Sequence, residues 1–133
     1  MSIATRTSLP ALYEETARQF AKRLRERFPG SVHAVVLYGS VARKAAGKDS
    51  DIDVMVLTSN GRPARDELVE VSESLDFENN YHTFLIATPF TCHMLQQLAS
   101  GGFPIAEAIF REGIVLYDDG TFERIRQNAV GAG

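Results

Sequence analysis

Apolar residues near the start of the chain recur every three or four positions, a spacing typical of an amphipathic helix. The pattern runs from Leu12 to Phe28. Ser8 is suited to cap such a helix, Pro10 to occupy its first turn, and Pro29-Gly30 to end it. The pattern therefore predicts one long helix before the first strand.

Two short apolar runs then predict neighbouring buried strands. The first, Val35–Tyr38, ends at Gly39-Ser40, where a glycine permits a tight turn and a serine hydroxyl can cap a short helix over 41–46. A turn is predicted at 47–50. The second run, 51–58, begins with two aspartates, which is unusual because aspartate is disfavoured in strands.

The rest of the chain continues the alternation of helices and strands. Helical spacing covers 65–75, and extended spacing covers 81–87, where Thr88-Pro89 ends the strand. The C-terminal helical region, 91–128, also contains one short strand. Its predicted elements are a helix over 91–99 capped by Thr91, a helix from Phe103-Pro104 to Glu112 with Gly113 as a left-handed C-cap, a strand over 114–117, and a helix over 122–128 capped by Asp118-Asp119. This order predicts an α/β or α+β domain of two layers.

The composition is that of an ordinary globular protein. The 133 residues are 44% hydrophobic and 23% charged, which suits one soluble domain with a continuous core. A net charge of −3 argues against a protein that holds nucleic acid by bulk electrostatics. The sequence has no apolar run of membrane-spanning length and no signal-peptide pattern, and its single cysteine, Cys92, fits a reducing cytoplasm.

The two aspartates at the start of the second strand predict a cation site. Residues two apart in an extended chain point to the same face, so Asp51 and Asp53 project together while Ile52 enters the core. Two such carboxylates repel each other unless a cation lies between them, and Mg²⁺ takes one or two carboxylates together with substrate phosphates. Gly39-Ser40 offers backbone N–H groups at a helix start, which suit a phosphate. The pattern predicts a phosphoryl- or nucleotidyl-transfer site.

The same residues carry a family resemblance. Gly39-Ser40, ten residues and then Asp51-Ile52-Asp53 resemble the G-S-x10-D-x-D signature of the DNA polymerase beta-type nucleotidyltransferase superfamily, and the size resembles its minimal nucleotidyltransferase branch. The segment Arg111–Tyr117 resembles the C-terminal stretch of many small proteins of this kind. The resemblance implies a mixed sheet with helices packed mainly on one face. We expect one nucleotidyltransferase domain over 1–133, with its signature region at 35–57.

The resemblance also implies roles for individual residues. Asp51 and Asp53 are the expected catalytic carboxylates and metal ligands, binding two Mg²⁺ ions together with the NTP. Gly39 and Ser40 are the expected contacts to the β- and γ-phosphates, and Arg43 and Ser50 complete the expected nucleotide-binding set. Lys44 and Lys48 lie in the same ten-residue interval and are alternatives for reaching the triphosphate, although each is equally well explained as a solvated turn residue.

A third carboxylate, which the family usually supplies from the third strand, is missing from the predicted strand over 81–87. Asp76 and Glu78 lie just before this strand, and His82 lies within it and could act as a base near neutral pH. The candidates for the general base are therefore Asp76, Glu78 and His82, and the sequence is equally consistent with none of the three in this role.

The resemblance implies a Mg²⁺-dependent enzyme that transfers an NMP group, AMP from ATP, to a hydroxyl. Similar small proteins act as antitoxins that adenylylate a HEPN-type ribonuclease toxin on tyrosine, so the expected partners are ATP or another NTP and such a toxin. One alternative is a non-catalytic nucleotide-binding or toxin-capping module. Another is a small-molecule nucleotidyltransferase of the aminoglycoside-modifying type, although the chain leaves no room for a separate substrate-binding domain. The sequence leaves open whether the protein forms a homo- or hetero-oligomer.

Overall fold

The computed structural model describes the backbone of residues 8–132 and the side chains of residues 8–129. Four strands and six helices are formed within this part of the chain. The helices are α1 (Leu9–Arg27), α2 (Gly39–Ala42), α3 (Arg65–Glu78), α4 (Cys92–Ser100), α5 (Pro104–Glu112) and α6 (Thr121–Ala132). The strands are β1 (Val32–Tyr38), β2 (Ile52–Thr58), β3 (Leu85–Thr91) and β4 (Ile114–Asp118).

The four strands form one mixed sheet in the order β3-β2-β1-β4. β1 pairs antiparallel with both β2 and β4, whereas β2 and β3 are parallel and are joined through α3. This arrangement confirms the predicted α+β class with a mixed sheet. It also brings the C-terminal end of β1 beside the N-terminal ends of β2 and β3, and the signature residues lie at this end of the sheet.

Helices cover both faces of the sheet, so the expectation of two layers is wrong and the expectation of helices mainly on one face is incomplete. Residues of α1 and α3, such as Phe20 and Leu75, pack on one face against Ile52 and its neighbours. Residues of α4, α5 and α6, including Ile109, pack on the other face against Met55 and its neighbours. β1 and β2 are buried on both sides, and their nearly continuous apolar sequences are typical of strands that are covered on both faces.

Several predicted helix starts are confirmed by hydrogen bonds. The Ser8 hydroxyl accepts a bond from the Ala11 N–H (3.3 Å), and the Thr91 hydroxyl accepts one from the Met94 N–H (3.1 Å). Asp118 accepts from the N–H groups at the start of α6. These side chains satisfy amides that have no partner within the helix.

Gly113 does not adopt the predicted left-handed C-cap conformation. Its backbone is extended (φ −64°, ψ 139°), and α5 passes directly into β4. A side chain at this position would lie 2.6 Å from Cγ1 of Val36 on β1 and would also contact the Ile109 carbonyl. A glycine is needed here because the chain packs closely against the sheet.

The third strand lies four residues later than predicted. α3 continues to Glu78, and the chain turns through Asn80 and Tyr81, both of which have positive φ. Pro89, which was expected to end the strand, lies within β3. Proline is tolerated there because β3 is an edge strand that pairs only with β2 in this sheet, so a nitrogen on the outer side needs no acceptor.

Candidate active site

The site is built around close contact between Gly39 and Asp53. Gly39 follows the last residue of β1, and Asp53 is the cross-strand partner of that residue, Tyr38. Gly39 has φ +78°, and a Cβ placed on it would lie only 2.5 Å from Oδ2 of Asp53. Both the backbone conformation and the neighbouring carboxylate therefore require a residue without a side chain. The spacing of the signature glycine and the second aspartate has a steric reason.

Asp53 lies on β2 and Asp51 directly precedes this strand, so the alternation of an extended chain places both on one face. Ile52 between them is fully buried in the core under α1 and α3, so the two aspartates point to the opposite face. We call the face that carries them the site face; further along β2 it carries Met55 and Leu57, which α4–α6 cover.

The electrostatics of this pair favour a cation. Burial raises the pKa of the Asp53 carboxyl, the charge of Asp51 raises it further, and Arg43 partly lowers it. Two carboxylates that repel each other at the end of a strand, with Asp51 open to solvent, form the kind of partial ligand set that Mg²⁺ completes with water and phosphate. The residues present therefore fit the cation that the sequence predicts.

The helix after Gly39 is shorter than predicted and is not capped by Ser40. α2 is a single turn, Gly39–Ala42, and its N-cap residue is Tyr38, which makes no side-chain capping bond. The Arg43 N–H donates to the Gly39 carbonyl (3.1 Å). Ser40 and Val41 are in the first turn of α2, where backbone amides have no acceptor within the helix. A one-turn helix has little macrodipole, and any anion bound here relies on these amides.

The three candidate cations of the loop after α2 have different surroundings. Arg43 is close enough to Asp53 to lower its pKa, and its Nε lies 3.7 Å from Oε2 of Glu112 at the end of α5. Lys44 instead forms an ion pair with Glu14 on α1 (2.7 Å). Lys48 is exposed in the following turn. Of the three residues, Arg43 is the one whose charge lowers the pKa of Asp53.

Ser50 closes the turn that precedes Asp51. Its hydroxyl accepts a hydrogen bond from the Gly47 N–H (2.8 Å), and its own N–H donates to the Gly47 carbonyl (3.2 Å). The Tyr13 hydroxyl donates to the same carbonyl (3.3 Å), which ties the turn to α1. In this structure Ser50 therefore shapes the approach to Asp51.

A nucleotidyltransferase-domain family model matches residues 17–95, which include the C-terminal part of α1, the signature and α3. The chain belongs to the nucleotidyltransferase domain family. No curated protein sequence matches the chain.

Solved structures support the fold of this nucleotidyltransferase. One is a toxin–antitoxin with AMP-PNP, 18% identical with a TM-score of 0.51, covering 86% of this chain and 85% of the other. A second is a mutant MntA–HpeT toxin–antitoxin, 16% identical with a TM-score of 0.58 over 87% and 85%. A third is the toxin–antitoxin MntA–HepT, 18% identical with a TM-score of 0.50 over 90% and 85%.

The site face of β3 in this nucleotidyltransferase has no carboxylate. The residues of β3 that share a face with Asp53 are Ile86, which pairs with it directly, then Thr88 and Phe90. The absence of an acid noted in the sequence thus also holds for the strand in its corrected position, 85–91.

Asp76, one of the three candidate bases, is engaged in the structure. Its carboxylate is 4% exposed and accepts hydrogen bonds from the Thr83 hydroxyl (2.6 Å) and the Leu85 N–H (3.1 Å). Burial raises its pKa, and these two bonds partly offset the rise. Both bonds fix the start of β3, and Leu85 belongs to the core on the face opposite the site.

The other two candidates lie on the surface. Glu78 forms a two-pronged ion pair with Arg23 of α1 (2.7 and 2.8 Å), which lowers the pKa of the glutamate. His82 is exposed in the turn before β3. Since β2 and β3 are parallel, this turn lies at the same end of the sheet as Asp51, so His82 remains a candidate base.

Sequence reasoning missed two side chains, one beside Asp53 and one beside Arg43. Tyr38 lies next to Asp53 across the β1–β2 pair, and burial, followed by the charge of Asp53, raises the pKa of its phenol. Glu112 holds Arg43 from α5. The period-two alternation of β1 could have placed Tyr38 on the site face, whereas no local pattern brings Glu112 to Arg43.

Proposed function

We propose that this nucleotidyltransferase transfers AMP from ATP to a hydroxyl of a partner protein in a Mg²⁺-dependent reaction. The observation that carries the proposal is the Asp53 carboxylate, packed against Gly39 and beside Asp51 at the end of the sheet where α2 begins. Carboxylate oxygens suited to a metal and first-turn backbone amides thus occupy adjacent positions, as a nucleoside triphosphate requires.

The chain's own residues bind and orient the nucleotide. Asp51 and Asp53 hold Mg²⁺, which when bound neutralises the triphosphate and polarises its phosphoryl oxygens. Gly39 and Ser40 present backbone to the β- and γ-phosphates, and Arg43 adds a positive charge on the same side. Ser50 keeps the preceding turn in shape.

A protein acceptor is supported by the structures that share this fold, which are toxin–antitoxin assemblies, one of them with AMP-PNP. We infer that this chain is the antitoxin of a HEPN/MNT pair, that its acceptor is a HEPN-type ribonuclease, and that it works in the cytoplasm. The antitoxin then acts by attaching AMP to the toxin, with Asp51 and Asp53 essential.

The test is incubation with Mg²⁺ and ATP labelled at the α-phosphate, beside a HEPN-type ribonuclease and alone. The wild type is compared with Asp53→Asn and with Asp49→Asn, a matched aspartate in the exposed turn before the site. We expect label on the ribonuclease with the wild type and with Asp49→Asn, none with Asp53→Asn, and none after EDTA. ATP labelled at the γ-phosphate should label nothing. Label from the γ-position alone would instead identify a kinase.

A second candidate function is a binding module that caps the toxin without chemistry. The specific observation in its favour is the acid-free site face of β3. Binding of Mg²⁺-ATP with no transfer from any NTP, together with toxin neutralisation by Asp53→Asn, would establish this function in place of the first.

A further inference from the structure

Phe84, immediately before β3, is a large apolar side chain that is 60% exposed. Its two neighbours point the other way. Thr83 is buried and bonded to Asp76 and Asn79 of the α3 end, and Leu85 belongs to the core under α1 and α3. Side chains of an extended segment alternate between faces, so Phe84 faces the side that carries the two aspartates.

Phe84 also lies directly beside Asp51. The Ile52 N–H donates to the Phe84 carbonyl (2.9 Å), and the parallel register pairs Ile52 with Leu85 and Asp53 with Ile86. Extending this register by one residue places Phe84 opposite Asp51. The site face therefore has two adjacent rows, Asp51 beside Phe84 and Asp53 beside Ile86.

The phosphate side and the β3 side of the site lie on opposite sides of the carboxylates. Gly39 and α2 adjoin Asp53 from β1, whereas Phe84 and Ile86 adjoin the aspartates from β3. In displacement at phosphorus, the attacking and leaving oxygens lie roughly in line. If pyrophosphate leaves towards Gly39 and Ser40, the acceptor hydroxyl arrives over β3.

We propose that Phe84 is the docking residue for the acceptor, packing against the aromatic side chain that carries the acceptor hydroxyl. This inference rests on the proposed function. The β3 side offers an aromatic ring and an isoleucine and no acidic side chain of its own, so it suits the apolar body of an aromatic side chain. In the free protein most of the Phe84 ring is exposed to water beside Asp51 and Asp53, so it contributes little burial of apolar surface. When the acceptor covers the ring, that surface is removed from water, which favours binding.

The test compares Phe84→Ala with Phe77→Ala in the transfer assay with a HEPN-type ribonuclease as acceptor. Phe77 is a matched control because it is 67% exposed and lies on α3, where its ring packs edge-on against Tyr81. We expect Phe84→Ala to raise the KM for the acceptor about tenfold, as loss of one aromatic contact does, with the KM for ATP unchanged. Phe84→Tyr should restore the acceptor KM, and Phe77→Ala should match the wild type.

Three results would overturn the inference. The first is an acceptor KM that is unchanged in Phe84→Ala. The second is a rise in the KM for ATP instead of the acceptor KM, which would make Phe84 a platform for the nucleobase. The third is a rise in the acceptor KM of Phe77→Ala equal to that of Phe84→Ala. If the wild type itself transfers no label, the proposed function fails. A binding experiment then tests the docking role of Phe84 separately. Amide NMR shifts at residues 84–86 on adding N-acetyl-tyrosinamide to the protein with Mg²⁺ and α,β-methylene-ATP support docking there. Shifts confined to other residues, or none, contradict it.

Discussion

The contact between Gly39 and Asp53 makes Gly39→Ala the sharpest test of the site. The substitution adds one methyl group. It changes no charge and removes no hydrogen-bonding group, so its effects come from backbone strain and from the position of the Asp53 carboxylate.

The two effects have different magnitudes and different readouts. At φ +78° an alanine costs about 1–2 kcal/mol of folding free energy, which lowers the Tm of a domain of this size by about 4–8 °C. The added Cβ would also lie 2.5 Å from Oδ2 of Asp53, so the carboxylate must move by about 0.9 Å to reach ordinary contact at 3.4 Å. A displacement of about 1 Å in a group that positions the reaction lowers the rate about a hundredfold.

Gly30→Ala is the matched control. Gly30 has φ +80°, and a Cβ there would meet nothing within 4 Å. It should therefore lose about the same stability as Gly39→Ala and keep its activity. Thermal unfolding and α-phosphate transfer, measured on both variants below their Tm, separate the two effects. Wild-type transfer by Gly39→Ala, or an equal loss in Gly30→Ala, would refute the steric account of the signature.

Three further predictions concern the charges around the site. Burial and Asp51 raise the pKa of Asp53, so the metal-free native state keeps the proton of this carboxyl to higher pH than the unfolded chain does. At a pH where the carboxyl is ionised, its charge therefore destabilises the fold. Asp53→Asn should therefore raise the metal-free Tm at pH 7, and the gain should vanish as the pH falls below the unfolded pKa of about 3.9; a gain that persists in acid would contradict this cause. Asp76→Asn replaces one of two accepting oxygens and should cost about 1–3 kcal/mol in urea unfolding with transfer per folded molecule retained, whereas lost transfer at full stability would make Asp76 the base. Arg43→Ala should raise the Kd for Mg²⁺-ATP roughly tenfold in a calorimetric titration, and Lys44→Ala, which loses only the ion pair with Glu14, should leave it unchanged; equal effects would refute the assignment.

The sequence predicted well those features that depend on neighbouring residues. The caps at Ser8 and Thr91 depend on one hydroxyl and the next turn of helix. The shared face of Asp51 and Asp53 depends only on the period of an extended chain. For these features no distant contact competes with the local preference.

Features set by distant contacts were not predictable. The local sequence at Pro89 indicates the end of a strand. Pro89 can lie inside β3 because this strand is at the edge of the sheet. The local sequence at Gly113 indicates a left-handed helix cap. The structure instead requires a glycine there because Val36 packs too closely to leave room for a side chain. The role of Asp76 in holding the start of β3 depends on Leu85, nine residues away, and the sequence pattern places that strand four residues too early.

Pro89 also limits how the outer edge of the sheet can be used. Donors alternate along a strand, and the Leu85 N–H points outwards to Asp76, so the nitrogen of Pro89, four residues later, lies on the same outer side. One outward amide of β3 is thus already bonded and another does not exist, and a strand from another molecule finds no continuous ladder there. Recognition at this edge therefore depends on side chains and not on backbone pairing. Under the docking role proposed for Phe84, substitutions at this exposed position change acceptor specificity while the sheet stays unchanged.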